Sequence, residues 1–116
     1  MIIEHGRPKM AIVDPNTLVV LGLKQILQNV MPIMTVETFA TFEDFEAANS
    51  DIFFHFFVAQ TVVLENLSFF SKNMHKTIVL TITKDPNSQL SGFHSRCLNA
   101  PEKDLIRAVL KMEQYG

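Results

Sequence analysis

Apolar residues in this chain come in short unbroken runs separated by stretches with helical spacing. The longest run, Phe53 to Val58, holds one polar side chain, His55. It is too short for a bilayer, which takes about 20 apolar residues. It reads as a strand over Ile52–Val58 that is buried on both faces, as in the middle of a parallel sheet. Lys9–Val13 and Thr77–Ile82 are similar runs, and Met34–Phe39 is rich in β-branched residues. Each predicts a strand, and a poorer fifth lies within Phe93–Leu98.

Helical spacing fills the gaps. Val19, Leu23, Ile26, Leu27 and Val30 fall at i, i+4, i+7, i+8 and i+11, one apolar face of a helix over Thr17–Val30. Asn16 is its N-cap. Met31-Pro32 closes it, because a residue before proline disfavours the helical region. Thr41 caps a short helix to about Asn49, with Asp44 placed as in a capping box and Phe42 and Phe45 as its apolar contacts. Leu64, Leu67 and Phe70, spaced by three, give a weaker pattern. Lys84 to Ser88 is turn chemistry and leaves room for about one helical turn before Gly92. Asn99-Ala100-Pro101-Glu102 starts a last helix, with Leu105, Ala108, Val109 and Met112 as its stripe. Residues 1 to 8 are a lead-in broken by Gly6 and Pro8. The order βαβαβαβ(α)βα means a parallel sheet with helices on both faces and right-handed crossovers.

Composition narrows the class. With 116 residues, 47% apolar and 19% charged, the chain is sized for one folded domain with a real core. A net charge of −2 argues against nucleic-acid binding by this segment, which usually shows as a basic stripe. Cys97, the sole cysteine, cannot form an internal disulfide, so a cytoplasmic location is expected. Met1 to Met10 carries Glu4, His5, Arg7 and Lys9 and does not read as a signal peptide. No run is long enough to span a membrane. His5, His55, His75 and His94 lack metal-site spacing, and no nucleophile elbow, Gly-rich phosphate loop or Cys-x-x-Cys is present. An enzyme is therefore not expected, and no cofactor is called for.

The segment Met10-Ala-Ile-Val-Asp14-Pro-Asn-Thr-Leu18, with Gly22-Leu23 following, resembles the opening of the receiver domain of bacterial two-component response regulators, most of all the group with helix-turn-helix output. Thr77-Ile-Val-Leu-Thr81 is similar to the family's fourth strand, and Asn99 to Val109 to its last helix. The resemblance spans about residues 9 to 114. It implies a flavodoxin-like (CheY-like) three-layer α/β/α fold with a five-stranded parallel sheet in the order 2-1-3-4-5. The spacing from Thr81 to Arg96 or Leu98 is short for the family, so the family's fourth helix, between strands 4 and 5, is expected to be shortened or missing.

Intact receivers hold Mg²⁺ with two acids after strand 1 and an aspartate ending strand 3, which takes the phosphoryl group. Here Asp14 matches the first acid and Pro15 stands at the second. Counting from Asp51 puts Phe56 at the phosphoacceptor position. Thr81 matches the hydroxyl position, and the lysine position falls on Arg96 or Leu98. The resemblance thus implies a vestigial pocket of Asp14, Pro15, Phe56, Thr81, Arg96 and Leu98, with neither metal site nor phosphoacceptor. Asp14 also reads simply as a residue capping the first helix, His55 as a core histidine, Thr81 as a buried hydroxyl and Cys97 as a small buried hydrophobe. A phosphorylation-independent surface is expected near Thr83, Phe93, His94 and Arg96, where a truncated helix would expose strand 5 as an edge. It would take a protein partner or a second copy, while DNA would be reached only through an output domain beyond Gly116. The alternatives are a small-ligand-binding flavodoxin-like domain, with an apolar pocket at the Asp14/Phe56/Thr81 end, and a stand-alone interaction module.

Overall fold

A computed structural model of the chain describes residues 9–81, 90 and 92–97, with Arg96 and Cys97 described by backbone alone. Strand β1 (Lys9–Val13) is followed by helix α1 (Thr17–Val30), β2 (Thr35–Phe39), α2 (Phe42–Ala47), β3 (Phe53–Ala59), α3 (Gln60–Glu65), α4 (Leu67–Lys72), β4 (Thr77–Thr81) and β5 (His94–Cys97). Short 3₁₀ turns at Ser50–Ile52 and Met74–Lys76 lead into β3 and β4. The five strands pair in parallel in the order β2-β1-β3-β4-β5, as expected. Expected features in residues 82–89 and 98–116, among them the shortened helix and the last helix, lie outside the described residues.

Local chemistry sets the element ends. Asn16 is extended, and its side-chain oxygen accepts from the N–H groups of Leu18 and Val19 at 3.0 and 3.2 Å, satisfying two donors the first turn leaves open. The Thr41 hydroxyl does the same for Asp44 N–H at 3.1 Å. The spacing-by-three pattern turns out to straddle two short helices. Asn66 and Asn73 end them, each side-chain amide donating to the carbonyl four residues back, Val62 and Phe69, at 3.0 Å. A donor competing for the last helical carbonyls stops propagation.

Strand alternation sorts the core into two layers. Met10, Ile12, Phe57, Ile78 and Leu80 meet Leu23 and Leu27 of α1 on one face. Ala11, Val13, Phe53, Phe56, Val58 and Val79 meet α2, α3 and α4 on the other. That second layer is a raft of phenyl rings with Phe45 at its centre. Phe53 and Phe56 share it although three residues apart, which a regular strand forbids. The register explains this: Lys9 pairs with Phe53 and Met10 with His55, so Phe54 is an extra residue in β3.

Candidate functional site

In an open parallel sheet the reactive groups sit beyond the carboxyl ends of the strands, at the point where strand order reverses. For this order that point lies between β1 and β3. Val13 pairs with Val58, and Leu80 with Ala59, so Asp14 after β1 and Thr81 ending β4 flank the Val58–Ala59 end of β3. Both are buried, at 6% and 5% exposure, and both are polar. The Asp14 N–H donates to Phe39 O at 3.0 Å, and its Oδ1 accepts from Asn16 N–H at 2.8 Å. Burial pushes the Asp14 carboxyl above its ordinary range, and the Asn16 hydrogen bond opposes this. Asp14 therefore ties the chain into α1, and Pro15 beside it is exposed.

Phe56 is not at this end. It pairs with Ala11 and with Thr77, the first residue of β4, three positions short of Ala59. The count from Asp51 goes with a strand over Ile52–Val58, whereas the bulge at Phe54 and the extension to Ala59 carry the strand further. Val58 pairs with Val13, which puts Ala59 beside Asp14, so the residues that end β3 next to Asp14 are hydrocarbon. Phe56 itself is fully buried in the phenyl raft, 4.9 Å from Phe45, with the Lys76 ammonium 4.9 Å from its ring centroid. The apolar pocket expected at the Asp14/Phe56/Thr81 end is thus not assembled from those three.

Of the other expected residues, Leu98 and Thr83 lie outside the described set. Arg96 is described by backbone only, paired with Leu80. Phe93 does not belong to an exposed surface: at 8% exposure it packs in the phenyl layer, its N–H donating to Leu90 O at 3.0 Å. His94 is exposed at the start of β5, which ends the described sheet with β4 as its strand neighbour.

Sequence reasoning missed a crevice of about 290 Å³ beside Asp14, lined by Pro15, Thr41, Glu43, Thr61, Glu65 and Asn66 among others. It lies between the loop leaving β1, the start of α2 and helix α3. Three segments that approach only in space leave no local signal. His55 forms a second polar feature in the opposite half of the sheet. It is 5% exposed, and burial pushes its imidazole below the ordinary pKa of 6.5, reinforced by the nearby charges of Lys76, His94 and His75.

A divalent ion of the kind receivers bind does not fit the residues present. Mg²⁺ requires several hard oxygens at short range. The ends of β1, β3 and β4 offer the Asp14 carboxylate, already engaged with Asn16, and the single hydroxyl of Thr81, while the side chains of Pro15, Val58 and Ala59 carry no oxygen. Among the described residues no three His, Cys, Asp or Glu side chains gather as a metal site, and no helix is long and apolar enough to cross a membrane.

No protein-family model matches the chain, and no curated protein sequence does. Solved structures do. The receiver domain of RcsB from Salmonella enterica serovar Typhimurium, solved with a beryllofluoride phosphomimetic, superimposes with a TM-score of 0.74 at 14% identity, covering 93% of this chain and 89% of that one. The non-phosphorylated RcsB receiver from Escherichia coli gives 0.74 at 14%, covering 93% and 94%. The receiver domain of a DNA-binding response regulator from Colwellia psychrerythraea 34H gives 0.73 at 11%, covering 92% and 98%. The strand order and these likenesses together show that this chain has the flavodoxin-like fold of response-regulator receiver domains.

Proposed function

We propose that this chain is a degenerate receiver: a non-enzymatic signalling module that takes no phosphoryl group and acts through protein contact. One observation carries the reading. The two residues that end the central strand beside Val13 and Asp14, Val58 and Ala59, are buried hydrocarbons, and Pro15 stands where a second acid would. Neither an alkyl side chain nor a proline ring can accept a phosphoryl group or ligate Mg²⁺. Desolvation raises the pKa of the one carboxylate left and further weakens it as a ligand.

The contact surface in this reading is the β5 edge, with His94 exposed on it. Edge strands present unpaired backbone groups to a partner. DNA contact belongs to an output domain, and the site of action is the cytoplasm. The test is incubation of the full chain with Mg²⁺ and acetyl phosphate, followed by intact-mass and peptide mapping. The expected result is an unchanged mass. A gain of one phosphoryl group mapped to this fold refutes the reading. The crevice beside Pro15 supports a second reading, a small-ligand domain. A thermal shift with flavins or nucleotides would support it, provided that substitution of Thr61 abolishes the shift.

A further inference from the structure

The crevice beside Pro15 has a lining of one electrical sign. Glu43 of α2 and Glu65 of α3 both line it. Among the described residues no lysine, arginine or histidine does, and neither acid has an ion-pair partner. No basic residue stands in the last turn of α3 to offset Glu65. The uncharged polar groups add acceptors. Thr41 and Thr61 bring hydroxyls, and Asn66 brings a side-chain carbonyl, its amide nitrogen being engaged with the Val62 carbonyl at 3.0 Å. The amino end of α2 would attract an anion, but it is already met by the Thr41 hydroxyl and by Glu43 and Asp44 in the first turn. Pro15, Ala40, Phe42 and Val62 supply the carbon of the walls.

We propose that this crevice binds an organic cation, an alkyl chain ending in a guanidinium or ammonium group. The proposal rests on the reading of the crevice as a ligand site and names the class of ligand. Carboxylates accept charge-assisted hydrogen bonds from such a head. The carbon walls suit its stem, as apolar surface suits the stems of lysine and arginine. A hard metal ion would need more oxygen ligands than two acids give, and no three metal-ligating side chains gather among the described residues. A nucleotide or flavin phosphate would meet two acids and no cation. Size agrees: the volume of about 290 Å³ equals about ten waters at ~30 Å³ each, room for an alkyl cation of about nine heavy atoms.

The same head group can arrive on a free amine or on an arginine side chain of a partner protein. Both acids are exposed, so water screens them. Binding is accordingly weak, with a dissociation constant of roughly 0.1–10 mM.

The experiment is backbone amide NMR on the full chain at low salt, with agmatine raised to about 20 mM. Thr41, Glu43, Thr61, Glu65 and Asn66 should show saturable shifts. Glu43→Gln and Glu65→Gln keep the shape and remove the charge; each should weaken binding at least about threefold, and the pair about tenfold. Glu46→Gln, exposed on α2 outside the lining, should leave binding unchanged, which separates the crevice from net negative charge. Because all three glutamates are exposed, the urea midpoint should not move. Pentanamide, a neutral chain, should cause no saturable shift. An acetyl-Gly-Arg-Gly amide peptide that binds more tightly than agmatine assigns the cation to a protein partner, and the reverse order assigns it to a free amine. Absence of saturable shifts with both cations overturns the proposal, as does binding that neither glutamine weakens or that pentanamide matches. AMP or flavin mononucleotide binding at these residues in place of agmatine also overturns it, yet leaves the ligand-site reading standing. No binding by any of these compounds ends both.

Discussion

Replacing Phe45 with alanine perturbs the domain at the centre of its phenyl raft. Phe45 is fully buried, and six rings lie within 6.3 Å of its centroid: Phe56 at 4.9 Å, Phe39 at 5.7, Phe53 at 5.8, Phe69 at 6.0, and Phe42 and Phe70 at 6.3. Burial of a Phe side chain stabilises by about 1.5–3 kcal/mol, and a cavity term adds to this when the surroundings cannot close in. Here they cannot, because the six rings come from β2, α2, β3 and α4 and are held by separate backbones. The cost should therefore lie in the upper part of the 3–5 kcal/mol range typical of Phe→Ala. With a urea slope near 1.5 kcal/mol/M, a loss of about 4 kcal/mol lowers the midpoint by about 2–3 M. Domains of this kind have only about 5–15 kcal/mol in total. The assay is urea denaturation followed at 222 nm. Phe54→Ala is the control, since that ring is 39% exposed and sits on the bulge, and it should cost about 1 kcal/mol or less. Equal midpoints for Phe45→Ala and Phe54→Ala would refute the layer assignment that follows from the bulge.

Three further outcomes follow from the same structure. Asn16→Ala removes the acceptor for Leu18 and Val19 N–H and should cost about 1 kcal/mol in urea denaturation. Gly22→Ala should stabilise by about 0.5–1 kcal/mol, because a methyl group there meets nothing within 4 Å and the glycine lies within a helix; an unchanged or lower melting temperature contradicts this. For His55 the folded pKa is depressed below 6.5, so the unfolded chain binds the extra proton first. Its stability contribution is whole above the unfolded pKa and is lost as pH falls through 6.5 toward the folded value. Urea midpoints should decline below about pH 6.5, and His55→Gln should flatten that decline.

Much of the fold was legible because its elements carry two concordant signals. Over Thr17–Val30 the apolar period and the Asn16 cap agree, and the helix has those bounds. Lys9–Val13 is bracketed by Pro8 and by Asp14-Pro15, and it too came out as read. Where one signal stood alone the reading slipped. The apolar run of β3 has no internal mark, so nothing in it shows the extra residue at Phe54 or the end at Ala59, and Phe56 was placed too far along. Leu64, Leu67 and Phe70 look like one helix because a period of three survives the break at Asn66, whose amide bonds back to Val62 only once the helix has formed. Phe93 reads as surface in a polar segment, yet it meets the phenyl layer through contacts far off in sequence. Within the candidate site, Pro15 next to Asp14 was visible from residue identity. Which residues of β3 lie beside Asp14 depended on register, and that only the paired strands define.

The central claim is that the carboxyl end of this sheet lacks receiver chemistry, and backbone amide NMR with Mg²⁺ and beryllofluoride tests it most directly. Amides of Asp14, Val58, Ala59 and Thr81 should hold their shifts as Mg²⁺ is raised to about 10 mM with the phosphomimetic present, in keeping with a site short of hard oxygen ligands. Saturable shifts centred on those four residues, lost in Asp14→Asn, would contradict the account.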